Sequence, residues 1–395
     1  METIPPENIK TITFNGNISQ SNLPIFRLGE RLHITFDDII GDEEDYYYII
    51  THHNFDWSPS DLSKGEYMEG FDDLRIYNYK NSLNTLQIFS HYQLTIPNKD
   101  TRALTKTGNY LLSIYNDYGD IIFSRKFMII DQITSVEVYI KRARDFNYIN
   151  SKQIVQFTIN SPGKHLINPK QNVKTLIIQN NNLKNVITNL KPQYTLGSKL
   201  VYKYDLEASF WGGNEFLHFD NKDVRAATSN IRRVELDDIY HNYLYTSPNR
   251  SERPYTYNPD INGNFLVRNI SAQDNSIEAE YVWMHFAVQY YDDLNGREIH
   301  LYGNFNNYCI DETTKLRYDS YKGSFQGVKL FKQGFYNYKY VLVNTDGSID
   351  DGAISGDFWQ TENEYTVLVY YRELGGRYDK IIGIGAANST NISNN

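Results

Sequence analysis

Apolar and polar residues alternate along most of this chain with a period of two, the repeat of strands whose successive side chains point to opposite faces. The clearest runs in the first third are Leu32-His33-Ile34-Thr35-Phe36, Tyr46 to Ile50, Leu86 to Phe89, Tyr110 to Tyr115 and Ile121 to Ile130. Asn, Asp, Gly and Pro punctuate them, and Tyr115-Asn116-Asp117-Tyr118-Gly119-Asp120 joins two runs as a hairpin. This spacing predicts an antiparallel β-sandwich over residues 1–131. A second unit, 132–275, begins near Val136-Glu137-Val138-Tyr139-Ile140 and carries Gln153 to Ile159, Val173 to Gln179 and Leu200 to Asp205. Its Pro- and Asn-bearing stretch Ser247 to Pro254 reads as a long surface loop. A third unit, 276–387, runs from Glu278 to Phe286 through Phe335 to Val343, a turn at Asp346-Gly347, and Glu364 to Tyr371. Residues 388–395 are small and polar and are expected to be disordered.

Capped helical periodicity is nearly absent, so the expected fold is all-β: tandem immunoglobulin-like or early-set β-sandwich domains with little helix. At 395 residues the chain suits two or three such domains. Composition agrees, since 34 Tyr and 20 Phe beside 4 Met favour pleated, half-buried surfaces over helices. A net charge of −9, with only short basic groups such as Lys141-Arg142-Ala143-Arg144, argues against nucleic acid as a partner. One cysteine, Cys309, excludes an internal disulfide framework and a thiolate metal cluster. No apolar run reaches the roughly 18 residues of a membrane-spanning helix. Met1 to Pro6 has neither a basic n-region nor an apolar h-region, so no signal peptide is expected in this chain.

Cys309 has no nucleophile-elbow context, and no G-x-S-x-G occurs. Trp211-Gly212-Gly213-Asn214 and Gly375-Gly376 lack the lysine or spacing of phosphate and nucleotide loops and read as turns. His52 and His53 point to opposite faces of one strand, which disfavours a shared metal. Asp42-Glu43-Glu44-Asp45 reads as a solvated loop. Asn258, Asp260, Asn262 and Gly263 open like a calcium loop, but position twelve is Asn269 rather than the bidentate Glu. The carboxylates Glu66, Glu69, Asp72 and Asp73 are candidates for glycan cleavage only if two of them face one another. The expectation is therefore no catalytic residue, no metal site and no cofactor, with function residing in what the surface binds.

Several stretches resemble the type IX secretion system plug protein family. They include Tyr46 to Leu62 with its His52-His53-Asn54-Phe55-Asp56-Trp57 core, Glu66 to Phe71, Asn81 to Thr85, His91 to Asn98 and Gly108 to Leu112. Later come Leu190-Lys191-Pro192, Phe210 to Phe216, Asp260 to Gly263, Lys332 to Tyr338 and Val369-Tyr370-Tyr371-Arg372, so the landmarks cover nearly the whole chain. At His53 the family often carries Cys, a departure at a position with no assigned role. The resemblance implies a periplasmic, non-enzymatic protein that closes the periplasmic end of the giant outer-membrane β-barrel translocon of that system. It implies that barrel as partner and no nucleotide or DNA ligand. The alternative is a carbohydrate-binding β-sandwich protein, because Leu301 to Asn306 and Gly334 to Tyr340 look like early-set modules that bind starch-like glycans. A glycoside hydrolase ranks last.

Overall fold

The computed structural model describes residues 2–16 and 23–392. Strand accounts for about 46% of it and helix for 6%, in the all-β arrangement expected. Strands Ile121–Ile130, Val173–Gln179 and Glu364–Tyr371 fall on the runs read from the sequence.

In the first module, one sheet orders Ile9–Gly16, Leu32–Asp38, Ser90–Ile96 and Tyr79–Asn81. The other orders Ile25–Arg27, Ile121–Ile130, Gly108–Asn116, Tyr46–His53 and Leu74–Arg75. Their facing sides bury Phe36, Tyr46, Tyr92, Tyr110 and Phe127, with Phe36 stacked on Tyr92 at 5.1 Å. The hairpin through Asn116 to Asp120 is present. Leu86 to Phe89 is not a strand. Its backbone is captured from outside: Leu86 N and Gln87 N donate to the carboxylate of Glu280 at 2.5 and 3.1 Å, so pairing starts only at Ser90.

The second module packs a sheet of Ser135–Arg142, Lys152–Asn160, Lys199–Tyr202 and Tyr194–Leu196 against one of Val186–Thr188, Val173–Gln179, Glu364–Tyr371 and Lys380–Asn388. The third is a ten-stranded sheet between Leu217–Asp220 and Ile231–Leu236 that folds over its own core. In that core Val282, Met284 and Phe286 meet Ile299, Leu301 and the Tyr336, Tyr338, Tyr340 stripe of strand Gly334–Val343.

The sheets divide the chain differently from the expected boundaries at 275 and 387. Residues 217–350 build the third module, while Glu364–Tyr371 and Lys380–Asn388 return to the second. The physical reason is pairing across nearly 200 residues, with Val173 opposite Tyr371 and Gln179 opposite Tyr365. Alternation within Glu364–Tyr371 shows that it is a strand but carries no mark of its partner. Residues 388–392 are not the disordered tail expected. Asn388 ends a strand, and Ser389 is buried, its N–H donating to Asn363 O at 2.9 Å and its hydroxyl accepting from Asn363 N at 2.8 Å. Residues 393–395 lie outside the described ones.

Candidate functional site

Each pair of modules meets at a joint with a buried polar hub, and in the two joints of the first module a small apolar core accompanies it. Between the first and second, Met128 and Ile130 pack with Leu176, Ile178, Leu368, Tyr370 and Ile381. Phe55 lies edge-on to Tyr370 at 4.8 Å. The hub is Asp379, which accepts from Phe55 N at 3.0 Å, Lys174 Nζ at 3.1 Å and Arg372 Nη2 at 2.9 Å. Arg372 also donates to Asn54 Oδ1 at 2.8 Å, and Tyr370 donates to Asn109 Oδ1 at 2.8 Å. Burial alone would raise the Asp379 pKa. The Arg372 bond, the Phe55 N–H and the Lys174 charge outweigh it and hold the carboxyl below its ordinary range.

Between the first and third modules, Phe89, Ile239, Tyr281 and Leu330 form the core. Asp37, at the end of strand Leu32–Asp38 and wholly buried, binds His91 Nδ1 at 2.6 Å through one oxygen. Its other oxygen accepts from Lys332 Nζ at 2.7 Å and from Tyr281 Oη at 2.6 Å. Lys332 is itself 1% exposed, donates to Ser276 O at 2.6 Å and lies 4.0 Å from the Phe89 ring. Burial would raise the Asp37 pKa, but the Lys332 charge and the His91 bond overcome it, so the carboxylate form is favoured.

Between the second and third, the two chain crossings run side by side. Phe358 N donates to Gly213 O at 2.8 Å, Gly213 N to Asp357 Oδ1 at 3.0 Å, and Asn214 Nδ2 to Ser355 O at 2.7 Å. Gln153 Nε2 binds the carbonyls of Trp359 and Thr361. A Cβ on Gly212 would stand 2.1 Å from Phe358 O, and Gly213 has φ +62°, which explains the Gly-Gly pair by close approach and backbone conformation. Beneath them Glu215, 1% exposed, accepts from Tyr255 Oη at 2.5 Å and Glu362 N at 3.2 Å through Oε1 alone. No donor reaches Oε2. Burial raises the Glu215 and Asp260 pKa values and lifts Asp357 to about 6, where neighbouring Asp351 adds to the effect.

The residues weighed from sequence are engaged structurally. His52 is buried, hydrogen-bonded to Ser60 Oγ at 2.9 Å and Thr107 O at 3.1 Å, and its pKa is pushed down by burial to about 4. His53 bonds Trp57 O at 2.8 Å and closes the turn beneath it. Asp260 accepts from Phe216 N at 2.5 Å and Asn262 N at 2.7 Å, and Asn269 Nδ2 donates to Glu278 O, so the candidate calcium loop is a set of turns. Asp72 binds Lys64 and Ile50 N, whereas Glu66 binds Ser63 and Arg377. In the acidic run, Glu43 receives Tyr79 Oη and Asn81 Nδ2. Cys309 is buried with Lys184 Nζ 3.2 Å from its sulfur. Among the described residues no group of three or more His, Cys, Asp or Glu is placed to hold a metal ion.

What the sequence reading missed is that the motif residues converge on the joints. Asn54, Phe55, Gly212, Gly213, Lys332, Tyr370 and Arg372 all belong to quoted stretches, yet they lie far apart in the chain. The Gly-Gly pair is the one local signal of a close approach between two backbones.

Comparison with known proteins follows this geometry. Residues 9–131 match a family model described as the type 9 secretion system plug protein 1st domain. A crystal structure of a hypothetical protein from Parabacteroides merdae ATCC 43184 is similar over 98% of this chain and 99% of that one, with TM-score 0.93 and 30% identity. An ICAM-5 D1–D4 ectodomain fragment gives TM-score 0.15 and 7% identity over 96% of this chain and 76% of that one. A collagen adhesin from S. aureus gives 0.10 and 9% over 97% and 95%. Neither of these last two carries an argument. No curated protein matches.

Proposed function

We propose a function from one premise: the chain belongs to the type 9 secretion system plug protein family. In this reading it is a non-catalytic plug that sits in the periplasm and closes the periplasmic end of that system's outer-membrane β-barrel translocon. The observation that carries the reading furthest is the triangular locking of three modules, each joined to both others through a buried hub. A body that blocks a wide pore must not flex open between its parts. Inter-module interfaces within a chain more often permit relative motion; the bonded buried charges of Asp37 and Asp379 and the zipped crossings at Gly212-Gly213 oppose it here.

No helix of the described residues is long and apolar enough to cross a membrane, so attachment to the barrel would rest on surface contact. Tyr118, Phe146 and Tyr321 on turns and Tyr291 on a loop are exposed and offer rings as anchors. No observation favours the glycan-binding alternative.

The test is outer-membrane permeability to large solutes after deletion of this chain, alone and together with the barrel's other gate. The double deletion should leak more than deletion of the other gate alone. Equal leakage in the two strains would overturn the proposal.

A further inference from the structure

A cleft of about 880 Å³ opens between the first and third modules, with Asn181, Leu183 and Glu364 of the second on its wall. Its volume falls in the range of roughly 300–1,000 Å³ typical of clefts that enclose ligands. Residues 9–15 of strand Ile9–Gly16 line it without a break, and that strand is the edge of its sheet, paired on one side with Leu32–Asp38. Among the described residues no other strand or loop bonds the backbone of residues 10–16. A bulge interrupts the ladder between Lys10 and Thr13, with Thr11 at φ +50°, and beyond it the outward N–H and C=O groups of Thr13 to Gly16 remain free to accept a further strand.

The cleft's charges are the second observation. Lys10, Arg125, Lys126 and Lys329 line it, and none of the four is ion-paired among the described residues. Arg125 makes one hydrogen bond, to Ser124 O at 2.9 Å, and Lys329 Nζ donates to Thr313 Oγ1 at 2.6 Å. The carboxylates on the same walls are mostly committed. Glu2 accepts from Lys126 N and Asn307 Nδ2, Asp311 accepts from Thr313 N and Thr314 N, and Asp220 pairs with Lys222 Nζ at 2.9 Å, leaving Glu7 and Glu364 without an ion pair among the described residues. Burial, then the neighbouring Lys10, push the Lys329 ammonium down to about 8 against the opposing charges of Asp311 and Glu7. In a chain of net charge −9, four cations without an ion pair among the described residues thus stand beside a free strand edge, with Lys126 Nζ 4.4 Å from the centroid of the Trp57 ring.

We infer that this cleft binds an extended, acidic polypeptide segment, which adds as a strand to the free edge of Ile9–Gly16 while its carboxylates meet Lys10, Lys329, Arg125 and Lys126. Main-chain bonds supply affinity in such strand addition, and alternate side chains supply selectivity. Apolar residues at the intervening positions would face Ile12, Phe14, Phe265 and Phe305. The inference does not depend on barrel closure, and its test uses the purified chain alone.

The probe is a fluorescent ten-residue peptide alternating Glu and Val, titrated by anisotropy. Its comparators are the same peptide with Lys for Glu, the same peptide N-methylated at alternate amides, and inorganic triphosphate as competitor. The Glu peptide should bind, the Lys peptide at least tenfold more weakly, and one of the two N-methylation registers at least tenfold more weakly. Lys10→Glu with Lys329→Glu should lower affinity for the Glu peptide at least tenfold, and circular dichroism should show these variants folded. Because methylation alters only the peptide, that arm decides even if the double variant misfolds. The inference is overturned by absence of binding up to ~1 mM, by equal binding of the Lys peptide, by indifference to both methylation registers, or by triphosphate competing as well as the peptide.

Discussion

Where the first module meets the third, Asp37 is surrounded by Lys332, His91 and Tyr281, and both of its oxygens are bonded. Where the second meets the third, Glu215 has Tyr255 and one backbone N–H on a single oxygen, with the other left bare. Both groups are almost wholly buried. Asp37 is held in its charged form by a cation taken out of water with it, whereas Glu215 and its neighbours Asp260 and Asp357 are driven toward the neutral form. The first joint is therefore held by charge and the second by shape, through the zipped crossings at Gly212-Gly213 and Phe358. Burial by itself does not decide the state of a carboxylate; the partner buried with it does.

The largest effect should come from removing the cation. Lys332→Met leaves Asp37 buried without compensation and should cost about 3–5 kcal/mol in denaturant unfolding. Glu215→Gln, which keeps the shape and an acceptor for Tyr255, should change stability by less than about 1 kcal/mol. Equal losses would erase the contrast between the joints.

Shape should dominate at the second joint. Gly212→Ala forces a Cβ toward Phe358 O and should destabilise by about 1–3 kcal/mol, the usual penalty of overpacking. Gly65→Ala meets nothing within 4 Å and serves as the control. If both variants melt like the parent, the crossings are looser than described.

Acid and base should act on the joints in opposite senses. Asp37 and Asp379 have lowered pKa values in the folded state, so their contribution is complete above the unfolded value near 3.9 and is lost as pH falls through the folded one. Asp357 is raised to about 6, so its contribution is present below the unfolded value and is lost as pH rises through about 6. Asp357→Asn should therefore flatten the stability profile between pH 4 and 6, by under about 1 kcal/mol after solvent screening. A profile of unchanged slope in thermal melts would contradict this.

The smallest effect belongs to the surface. Tyr321, 98% exposed on a turn, should lose less than about 0.5 kcal/mol on change to Ala. A larger loss in the melting curve would mean that the exposed rings serve folding rather than contact.

Strand identity was largely legible in the chain itself. Ile121–Ile130, Val173–Gln179 and Glu364–Tyr371 alternate strongly, and the Asn, Asp and Gly residues between such runs set turns by local backbone preference. Family membership was legible too, because it rests on several short motifs in order. The partner of each strand was not. Glu364–Tyr371 has the same alternation whether it ends the third sandwich or returns to the second, and only pairing with Val173–Gln179 decides. Nor could the sequence mark the joints between modules. Asp37 and Lys332 stand 295 residues apart, each at a strand position that reads as solvent-facing, and polar residues are solvated unless something covers them. Tertiary structure supplied the cover: a third module laid over the first excludes water from both, and their charges then hold the two together.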